Sequence, residues 1–451
     1  MENIEQFNKK KILVLGLAKS GYAAAKLLHS FGADVTVNDG APDEGNKLAA
    51  ELRMDGIRVL CGGHPEGILE EGFSLVVKNP GINYRNPVVK QAIEKGIPVW
   101  TEIELTYRIS EAPIIGITGS NGKTTTTTLL YHMLSIGGKK PLIAGNIGTV
   151  SCTVAEQATA ENVIVLEASS FQLAGVEKFR PKIAILTNMY DSHIDYHETS
   201  EAYANAKAEI TNHQKEDDFL IYNADQSEVI EIASKSRAIG IPFSLTGMKK
   251  VGISADDSKI YWNGEPFLNR SIIKLPGQHN LENILSSTAA AILLGCDKEA
   301  IEDVLSSFTG VRHRMQFVKE LQGRKFYNDS KATNTRATKS ALAAFDAPII
   351  LLAGGLDRGH SLEELRPFMR NVKAVIALGE MKAKVEEFAS SCGVENIVLA
   401  ATMENAVERA HSLSEKGDII LLSPACASWD QYESFEVRGD AFIKSVTSLQ
   451  I

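Results

Sequence analysis

The chain has 451 residues, enough for about three domains, and 44% of them are hydrophobic, so sizeable cores are expected. Its net charge of −9 at pH 7 argues against nucleic acid as the main partner, and no apolar run reaches the roughly 18 residues that a membrane span requires. The five cysteines lack C-x-x-C spacing, which indicates neither a disulfide framework nor a zinc site. Residues 1–11 are polar and show no signal-peptide pattern, which predicts a cytoplasmic location.

The first third of the chain is predicted to form a unit of alternating strands and helices. A buried-type strand (residues 11–15) leads through a glycine turn to a helix (22–30) and a second strand that is closed by Asp39. The turn reads G-x-A-x-x-G, which favours a nucleotide diphosphate over NAD, although a turn without a ligand is equally consistent. A later strand runs into Asn79-Pro80-Gly81, at the sheet edge where open parallel sheets bind ligands.

A phosphate-binding loop is predicted near residue 120. The motif T-G-x-x-G-K-T occupies residues 118–124, between an apolar strand (114–117) and a helix (125–136). Ile117 stands where the strict G-x-x-x-x-G-K-[ST] pattern has its first glycine. We expect Lys123 to reach the β- and γ-phosphates and the Thr124 hydroxyl to bind Mg²⁺. The alternative is a glycine-rich turn with a solvated lysine.

Polar residues follow the next strands. Asn146 lies in a turn after the phosphate-loop helix, and Glu167 ends an apolar strand at the place where phosphate-loop proteins hold Mg²⁺. His193 lies in a polar loop, where a structural role is the commoner one. Lys207 lies on a predicted helix that Ser200 caps, and a solvated lysine is expected there from the local sequence alone.

Two asparagines, Asn280 and Asn283, are three residues apart and therefore share one helix face. They suit recognition of an adenine edge, and helix capping by Asn280 is the alternative. Beyond residue 311, four apolar strands each end in a small or polar loop and are separated by helical stretches. This pattern predicts a third parallel α/β unit.

Taken together, these motifs resemble the Mur ligases, which form amide bonds with ATP in bacterial peptidoglycan synthesis. The resemblance covers essentially the whole chain. It implies a Rossmann-like UDP-binding domain (residues 1–101), a central phosphate-loop ATPase domain (102–310) and a Rossmann-like C-terminal domain (311–451). The stretches 328–334 and 422–432 are similar to the branch that adds D-glutamate to UDP-N-acetylmuramoyl-L-alanine through an acyl phosphate. A monomer without nucleic-acid or membrane partners is expected.

The resemblance also implies roles for single residues. Lys123, Glu167, His193 and Lys207 would be catalytic, with Lys207 carbamylated so that it helps to hold a second Mg²⁺. The metal ligands would be Thr124, Glu167, His193 and Lys207. The ATP site would contain Gly119, Ser120, Asn121, Gly122, Lys123, Thr124, Thr125, Asn280, Asn283, Arg314 and Asp329. The substrate sites would contain Ser20, Gly40 and Gly81 for the uridine diphosphate, Asn146 for orientation, and Lys331, Arg358, Ser428 and Phe435 for D-glutamate.

Two positions depart from the family pattern. Ser434 precedes Phe435 where a residue such as Asn is expected, and Arg358 replaces a lysine. The C-terminal domain is expected to swing over the central site and exclude water. A folylpolyglutamate synthetase, an NAD-dependent oxidoreductase and a non-catalytic nucleotide switch are the competing functions. The first should lack a domain such as residues 1–101, and the second leaves Lys123 and Glu167 unexplained.

Overall fold

The computed structural model describes residues 2–190, 194–275 and 277–449. The chain forms two compact units, which separate between Phe308 and Thr309. The predicted α/β class is confirmed, because each of three sheets is largely parallel and alternates with helices along the chain. In the described part of the chain, no helix is long and apolar enough to cross a membrane. The domain boundaries after residues 101 and 310 stay predictions.

The first sheet of the larger unit is parallel throughout and has the strand order β3-β2-β1-β4-β5. Its strands are β1 (Lys11–Leu15), β2 (Asp34–Asp39), β3 (Arg58–Cys61), β4 (Leu75–Lys78) and β5 (Val99–Trp100). The helices in this stretch are α1 (Glu2–Glu5), α2 (Lys19–Ser30), α3 (Lys47–Met54), α4 (Pro87–Glu94) and α5 (Glu102–Ile109), with a 3₁₀ helix at Ile68–Glu71. The strand order reverses between β1 and β4, so their carboxyl ends flank a crevice of the kind that binds ligands.

The second sheet of this unit has nine strands in the order β14-β13-β12-β11-β10-β9-β6-β8-β7, and β13 runs antiparallel to both of its neighbours, β12 and β14. The strands are β6 (Ile114–Thr118), β7 (Lys140–Gly145), β8 (Asn162–Glu167), β9 (Ile183–Leu186), β10 (Phe219–Asn223), β11 (Ile239–Ser244), β12 (Ile253–Ala255), β13 (Lys259–Trp262) and β14 (Glu265–Asn269). The helices are α6 (Lys123–Ile136), α7 (Ser151–Gln157), α8 (Ser170–Leu173), α9 (Ile194–His197), α10 (Ser200–Asn212), α11 (Ser227–Lys235), α12 (Gln278–Leu293) and α13 (Lys298–Ser307), with a 3₁₀ helix at Arg270–Ile272.

Apolar packing explains why these elements form one unit. One cluster of buried residues runs from Ile12 in β1 through Leu105 in α5 to Leu166 in β8, so the two sheets share a core. A second cluster packs Leu129 of α6 and Leu285 of α12 against the other face of the nine-stranded sheet. The strands that carry the phosphate loop are therefore buried on both faces, as their apolar sequences predict.

The smaller unit has one sheet of six strands in the order β15-β16-β20-β17-β18-β19. The strands are β15 (Gln316–Leu321), β16 (Arg324–Asn328), β17 (Ile349–Gly354), β18 (Val372–Leu378), β19 (Asn396–Leu399) and β20 (Ile419–Leu422). The helices are α14 (Thr335–Leu342), α15 (Lys382–Ser391), α16 (Met403–Leu413) and α17 (Phe435–Ser448), with a 3₁₀ helix at Glu363–Asn371. The four predicted strands are present, and β15 adds an antiparallel edge through a hairpin with β16.

One local prediction was wrong. Helix α10 is capped by the Thr199 side chain, which accepts a hydrogen bond from the Ala202 N–H, and Ser200 is its first residue. Both residue types cap helices well, so their order in the sequence does not decide between them.

Candidate functional site

The predicted phosphate loop, residues 119–122, joins β6 to α6. Its geometry requires both of its glycines. Gly119 has φ +146°, and a Cβ there would lie 1.9 Å from Thr187 Oγ1. Gly122 has φ +82°, and a Cβ there would lie 2.0 Å from Asn283 Oδ1. Positive φ together with close neighbours excludes other residue types. The loop is thereby held between the chain that follows β9 and the start of α12.

The N-terminus of α6 supplies positive potential at this loop. The helix begins at Lys123, and its N-cap Gly122 has no side chain that could cap the first turn. The first N–H groups of a helix have no acceptor inside it and can bind an anion. The half-buried Lys123 Nζ donates hydrogen bonds to Gly119 O (2.7 Å) and Ser120 O (3.0 Å). The lysine therefore lies against the loop that is predicted to hold the phosphates.

Lys207 is buried beside the same loop, although the sequence predicts a solvated side chain there. It is 1% exposed, and its Nζ donates to Gly119 O at 2.8 Å. The Tyr203 ring lies 4.8 Å from the ammonium. Burial holds the pKa of Lys207 well below its usual range, the Lys123 charge lowers it further, and the Glu167 carboxylate opposes both. The surroundings of Lys207 therefore favour the neutral amine more than those of an exposed lysine do.

Glu167 is brought to the loop by strand pairing. It ends β8, pairs with Ile117 of β6 and is 1% exposed. Its Oε1 accepts a hydrogen bond from Asn146 Nδ2 at 2.8 Å, and Asn146 follows β7 on the other side of β8. Its Oε2 is buried without a hydrogen-bond partner among the described residues. A buried carboxylate oxygen that needs a partner fits a Mg²⁺ ligand.

The predicted metal ligands are only partly visible. Among the described residues, no three His, Cys, Asp or Glu side chains are grouped so that they could hold a metal ion by themselves. His193 lies outside the described residues. Mg²⁺ in nucleotide sites commonly uses one or two protein oxygens together with phosphate oxygens, so Glu167 and the buried Thr124 fit that donor set.

The two candidate adenine ligands lie near the phosphate loop. Asn283 Nδ2 donates to Asn280 Oδ1 (3.2 Å), and Asn283 Oδ1 accepts from Thr126 Oγ1 (3.3 Å). Helix α12 has Gly277 as its N-cap, so the alternative of capping by Asn280 is wrong. The Asn283 amide thus contacts the first turns of α6.

The first sheet gathers two of its three predicted residues. Asn79 Nδ2 donates to Ser20 Oγ (3.0 Å), and Asn79 Oδ1 accepts from the Gly81 N–H (3.2 Å). Gly40 follows β2, the strand next to β1. The Asp39 carboxylate accepts hydrogen bonds from the N–H groups of Leu17 and Ala41, so it organises the turn after β1. Asn79 was not singled out in the sequence, although its place in the strand-end loop was.

In the smaller unit, Asp329 is buried at the end of β16. Its Oδ1 accepts from the Met315 N–H (3.2 Å) and its Oδ2 from Ser423 Oγ (2.9 Å). Burial raises the pKa of Asp329 to about 7, against the effect of these hydrogen bonds and of the exposed Arg314. The carboxyl group is therefore anchored by the chain that follows β20.

The four candidate glutamate ligands lie in the smaller unit, in the loops that follow β16, β17 and β20 and at the start of α17. The Lys331 ammonium lies 5.7 Å from the centre of the Phe435 ring. Arg358 stacks on Trp429 at 4.7 Å, and the buried Ser428 Oγ has no hydrogen-bond partner among the described residues. Ser434, the departure from the family pattern, is the N-cap of α17, so its hydroxyl accepts a backbone hydrogen bond.

Arg438 was missed because an arginine inside a helix usually reaches solvent. It is 3% exposed, and its guanidinium donates to Ser330 Oγ (3.0 Å), Ser330 O (2.9 Å) and Cys426 O (3.0 Å). Burial lowers its pKa to about 10. Arg438 thereby ties the loop after β16 to the loop after β20, which bear Lys331 and Ser428 respectively.

Three family models match successive parts of the chain. They describe a "Mur ligase MurD-like, N-terminal domain" at residues 10–101, a "Mur ligase middle domain" at 117–291 and a "Mur ligase, glutamate ligase domain" at 313–426. A UDP-N-acetylmuramoylalanine--D-glutamate ligase of Geobacillus sp. (strain WCH70) is 55% identical over 451 residues and covers 100% of both chains. The protein of that name from Geobacillus kaustophilus is 56% identical over 445 residues, which are 98% of this chain and 99% of the relative.

Solved structures of lower identity share the fold. A UDP-N-acetylmuramate-alanine ligase of Thermotoga maritima aligns with a TM-score of 0.56 at 18% identity over 97% of this chain and 99% of its own. A MurF ligase from the same organism in complex with ADP aligns with a TM-score of 0.53 at 16% identity over 99% and 97%. At these identities the likeness shows the fold alone.

Proposed function

The chain belongs to the Mur ligase family, and on that premise we propose that it is an ATP-dependent ligase that joins D-glutamate to UDP-N-acetylmuramoyl-L-alanine in the cytoplasmic stage of peptidoglycan synthesis. The relatives that match the full chain carry the corresponding name. One structural observation carries the chemistry: Lys123 and Lys207 both donate to the phosphate loop, beside a buried Glu167 oxygen that has no hydrogen-bond partner among the described residues. We take the enzyme to act as a monomer.

The first step joins two anions. A carboxylate oxygen of the sugar nucleotide forms a bond to the γ-phosphorus of ATP, the bond to the bridging β–γ oxygen breaks, and ADP leaves. Lys123 and the N-terminus of α6 place positive charge where the phosphates meet the carboxylate. Asn280 and Asn283 are the proposed adenine ligands, and Arg314 and Asp329 contact the rest of the nucleotide.

In the second step, the neutral amine of D-glutamate attacks the acyl carbon. The C–N bond forms, the bond from carbon to the phosphate oxygen breaks, inorganic phosphate leaves, and the amine proton passes to solvent. Lys331, Arg358, Ser428 and Phe435 are proposed to hold the amino acid. The Ser428 hydroxyl supports this assignment: it has no partner in the part of the chain that the structure describes, and a buried donor needs an acceptor such as a carboxylate.

Two Mg²⁺ ions are proposed, with Thr124, Glu167, His193 and a carbamylated Lys207 as protein ligands. When bound, they would neutralise negative charge on phosphate and carboxylate oxygens. Carbamylation requires a neutral amine, and the surroundings of Lys207 favour that form. The carbamate would turn a buried cation into a carboxylate-like ligand, and Glu167 Oε2 makes no hydrogen bond to any described residue.

The sugar nucleotide is assigned to the first sheet. Ser20, Gly40 and Gly81 are proposed to contact its uridine diphosphate. This assignment is based on the crevice between the ends of β1 and β4. Asn146 is proposed to orient the end of the substrate that reacts, since its amide already contacts Glu167. The three proposed domains are residues 1–101, 102–310 and 311–451.

Isotope transfer tests the proposal directly. UDP-N-acetylmuramoyl-L-alanine labelled with ¹⁸O in its carboxyl group is incubated with enzyme, ATP, Mg²⁺ and D-glutamate, and the released phosphate is analysed by mass spectrometry. We expect one ¹⁸O atom in each phosphate released from doubly labelled substrate. Unlabelled phosphate would refute the acyl phosphate. A panel of acceptor amino acids run in parallel separates D-glutamate from L-glutamate addition, and phosphate release that needs neither substrate would indicate a simple nucleotide switch.

A further inference from the structure

Lys78 is a second buried lysine, remote in sequence from the phosphate loop. It ends β4 and is 1% exposed. Its ammonium donates to Ile82 O (3.0 Å), Pro80 O (3.4 Å) and the Tyr196 hydroxyl (3.2 Å), and it lies over the Tyr84 ring at 4.7 Å. Burying an ammonium is costly, and an apolar side chain would fill the same space more cheaply. The cation is therefore explained best by the loop carbonyls that it holds.

Tyr196 holds the same loop together with Lys78. It lies on α9, three residues after His193, and its hydroxyl is 3.1 Å from Pro80 O and 3.0 Å from Ile82 O. Asn83 Nδ2 donates to the Tyr196 backbone carbonyl at 3.1 Å. The 80–82 loop, which contains Gly81, is thus fixed by side chains from two separate segments.

Tyr196 is also fixed to the chain that follows Glu167. Its ring meets the edge of the Phe171 ring at 4.5 Å, and Phe171 lies in α8, just beyond the end of β8. The neighbouring His197 stacks on Phe171 at 5.5 Å, and its Nε2 is hydrogen-bonded to Ser170 Oγ at 2.9 Å. The position of the 80–82 loop is therefore set with respect to the strand that carries Glu167.

We propose that Lys78 and Tyr196 are positioning residues for the sugar-nucleotide substrate. By holding the carbonyls of Pro80 and Ile82, they fix the loop at Gly81 so that a bound substrate presents its carboxylate to the phosphate loop. This inference rests on the proposed function, and neither residue touches the reacting atoms.

The test compares three substitutions in the full-length enzyme. Lys78→Met removes the ammonium and keeps an unbranched side chain that is only one atom shorter. Tyr196→Phe removes only the hydroxyl and keeps the ring against Phe171. Tyr84→Phe is the matched control, because the Tyr84 hydroxyl donates to Ala174 O (2.6 Å) and not to the 80–82 carbonyls. Steady-state phosphate release gives kcat and separate KM values for the sugar nucleotide, ATP and D-glutamate, and thermal unfolding reports folding.

The two test variants should raise the KM for the sugar nucleotide about tenfold or more, since hydrogen bonds of this kind contribute that factor in binding. The KM values for ATP and D-glutamate should stay within about twofold, and Tyr84→Phe should leave all three unchanged. The double variant should be no worse than Lys78→Met alone, because both side chains act on the same carbonyls.

Three outcomes would overturn the inference. One is an unchanged sugar-nucleotide KM in Tyr196→Phe, which keeps the test valid even if Lys78→Met fails to fold. A second is a fall in kcat with all KM values constant, as expected from loss of folded enzyme. The third is an equal effect of Tyr84→Phe. Failure of the proposed function is distinct from these, because the unaltered enzyme would then release no phosphate in response to the sugar nucleotide and D-glutamate.

Discussion

Two buried lysines in the larger unit differ in what surrounds them. Lys207 and Lys78 are each 1% exposed, each donates to loop carbonyls, and in each burial is the main reason for a lowered pKa. Lys207 has a second cation, Lys123, and the carboxylate of Glu167 close enough to shift its pKa. Lys78 faces the rings of two tyrosines, and the carboxylate of Glu102 opposes the lowering of its pKa.

The difference shows that burial alone does not define the role of a lysine. Beside Lys123 and the Glu167 carboxylate, a lysine that loses its proton can be carbamylated and, in the proposed mechanism, become a metal ligand. Among carbonyl oxygens, an ammonium is useful because it keeps its protons and donates several hydrogen bonds. Lys207 is thus assigned to chemistry and Lys78 to positioning, and the following experiments test that division.

The largest effect on turnover is expected at Lys123, the cation beside Lys207. Lys123→Ala should abolish phosphate release, with a loss of about 3 kcal/mol or more in transition-state stabilisation, and should leave sugar-nucleotide binding intact. Colorimetric phosphate detection measures turnover, and calorimetry with the sugar nucleotide measures binding. Unchanged turnover would refute the role of the phosphate loop.

Chemical rescue separates the two buried lysines most sharply. Lys207→Ala should lower kcat by about 100-fold, because the proposed metal ligand would be lost, and added acetate or formate should restore part of the activity. Lys78→Met should not respond to either anion. Rates are measured with and without the anion, and chloride at the same ionic strength is the control. If small carboxylates never help Lys207→Ala, the carbamate role is not supported.

Ser428, in the smaller unit, is expected to affect a different substrate from Lys78. Ser428→Ala should raise the KM for D-glutamate about tenfold, with little change for ATP or the sugar nucleotide, since the hydrogen bond that this buried hydroxyl is proposed to make with the amino acid would be lost. This pattern is the converse of that expected for Lys78→Met. Equal changes in all three KM values would count against placing Ser428 at the amino acid.

The last prediction concerns stability. Burial lowers the pKa of Lys78 to about 8 from 10.5, so between these values the unfolded chain binds more protons than the folded one. The cost of burying the ammonium is complete below pH 8 and is relieved as the pH rises to 10.5. The unaltered enzyme should therefore gain stability relative to Lys78→Met by up to about 1.4 kcal/mol per pH unit in this interval.

Urea unfolding of both proteins at matched pH measures this difference. Neighbouring Tyr196 and Tyr84 also have raised pKa values, through burial, but they are present in both proteins and cancel to first order. A stability difference that does not change with pH would mean that Lys78 keeps an ordinary pKa in the folded state.

Much of the site was predictable because its residues are close in sequence or end adjacent strands. Gly119, Gly122 and Lys123 belong to one motif, and the prediction that Glu167 ends a strand beside them agrees with the pairing of β6 and β8. The apolar runs predicted the main parallel strands, because each strand is a short continuous stretch of sequence. Lys78 and Arg438 could not be identified in this way, because a single cation in a strand or helix reads as solvated until its neighbours are known.

The amino-acid sequence alone determined the α/β class, the phosphate loop and the family, since these depend on local patterns and on residues in a characteristic order. Only the tertiary structure decided that Lys207, Lys78 and Arg438 are buried and which carbonyl oxygens they contact. Burial and hydrogen-bond partners are set by elements far apart in the chain, and no local pattern records which of these elements pack together.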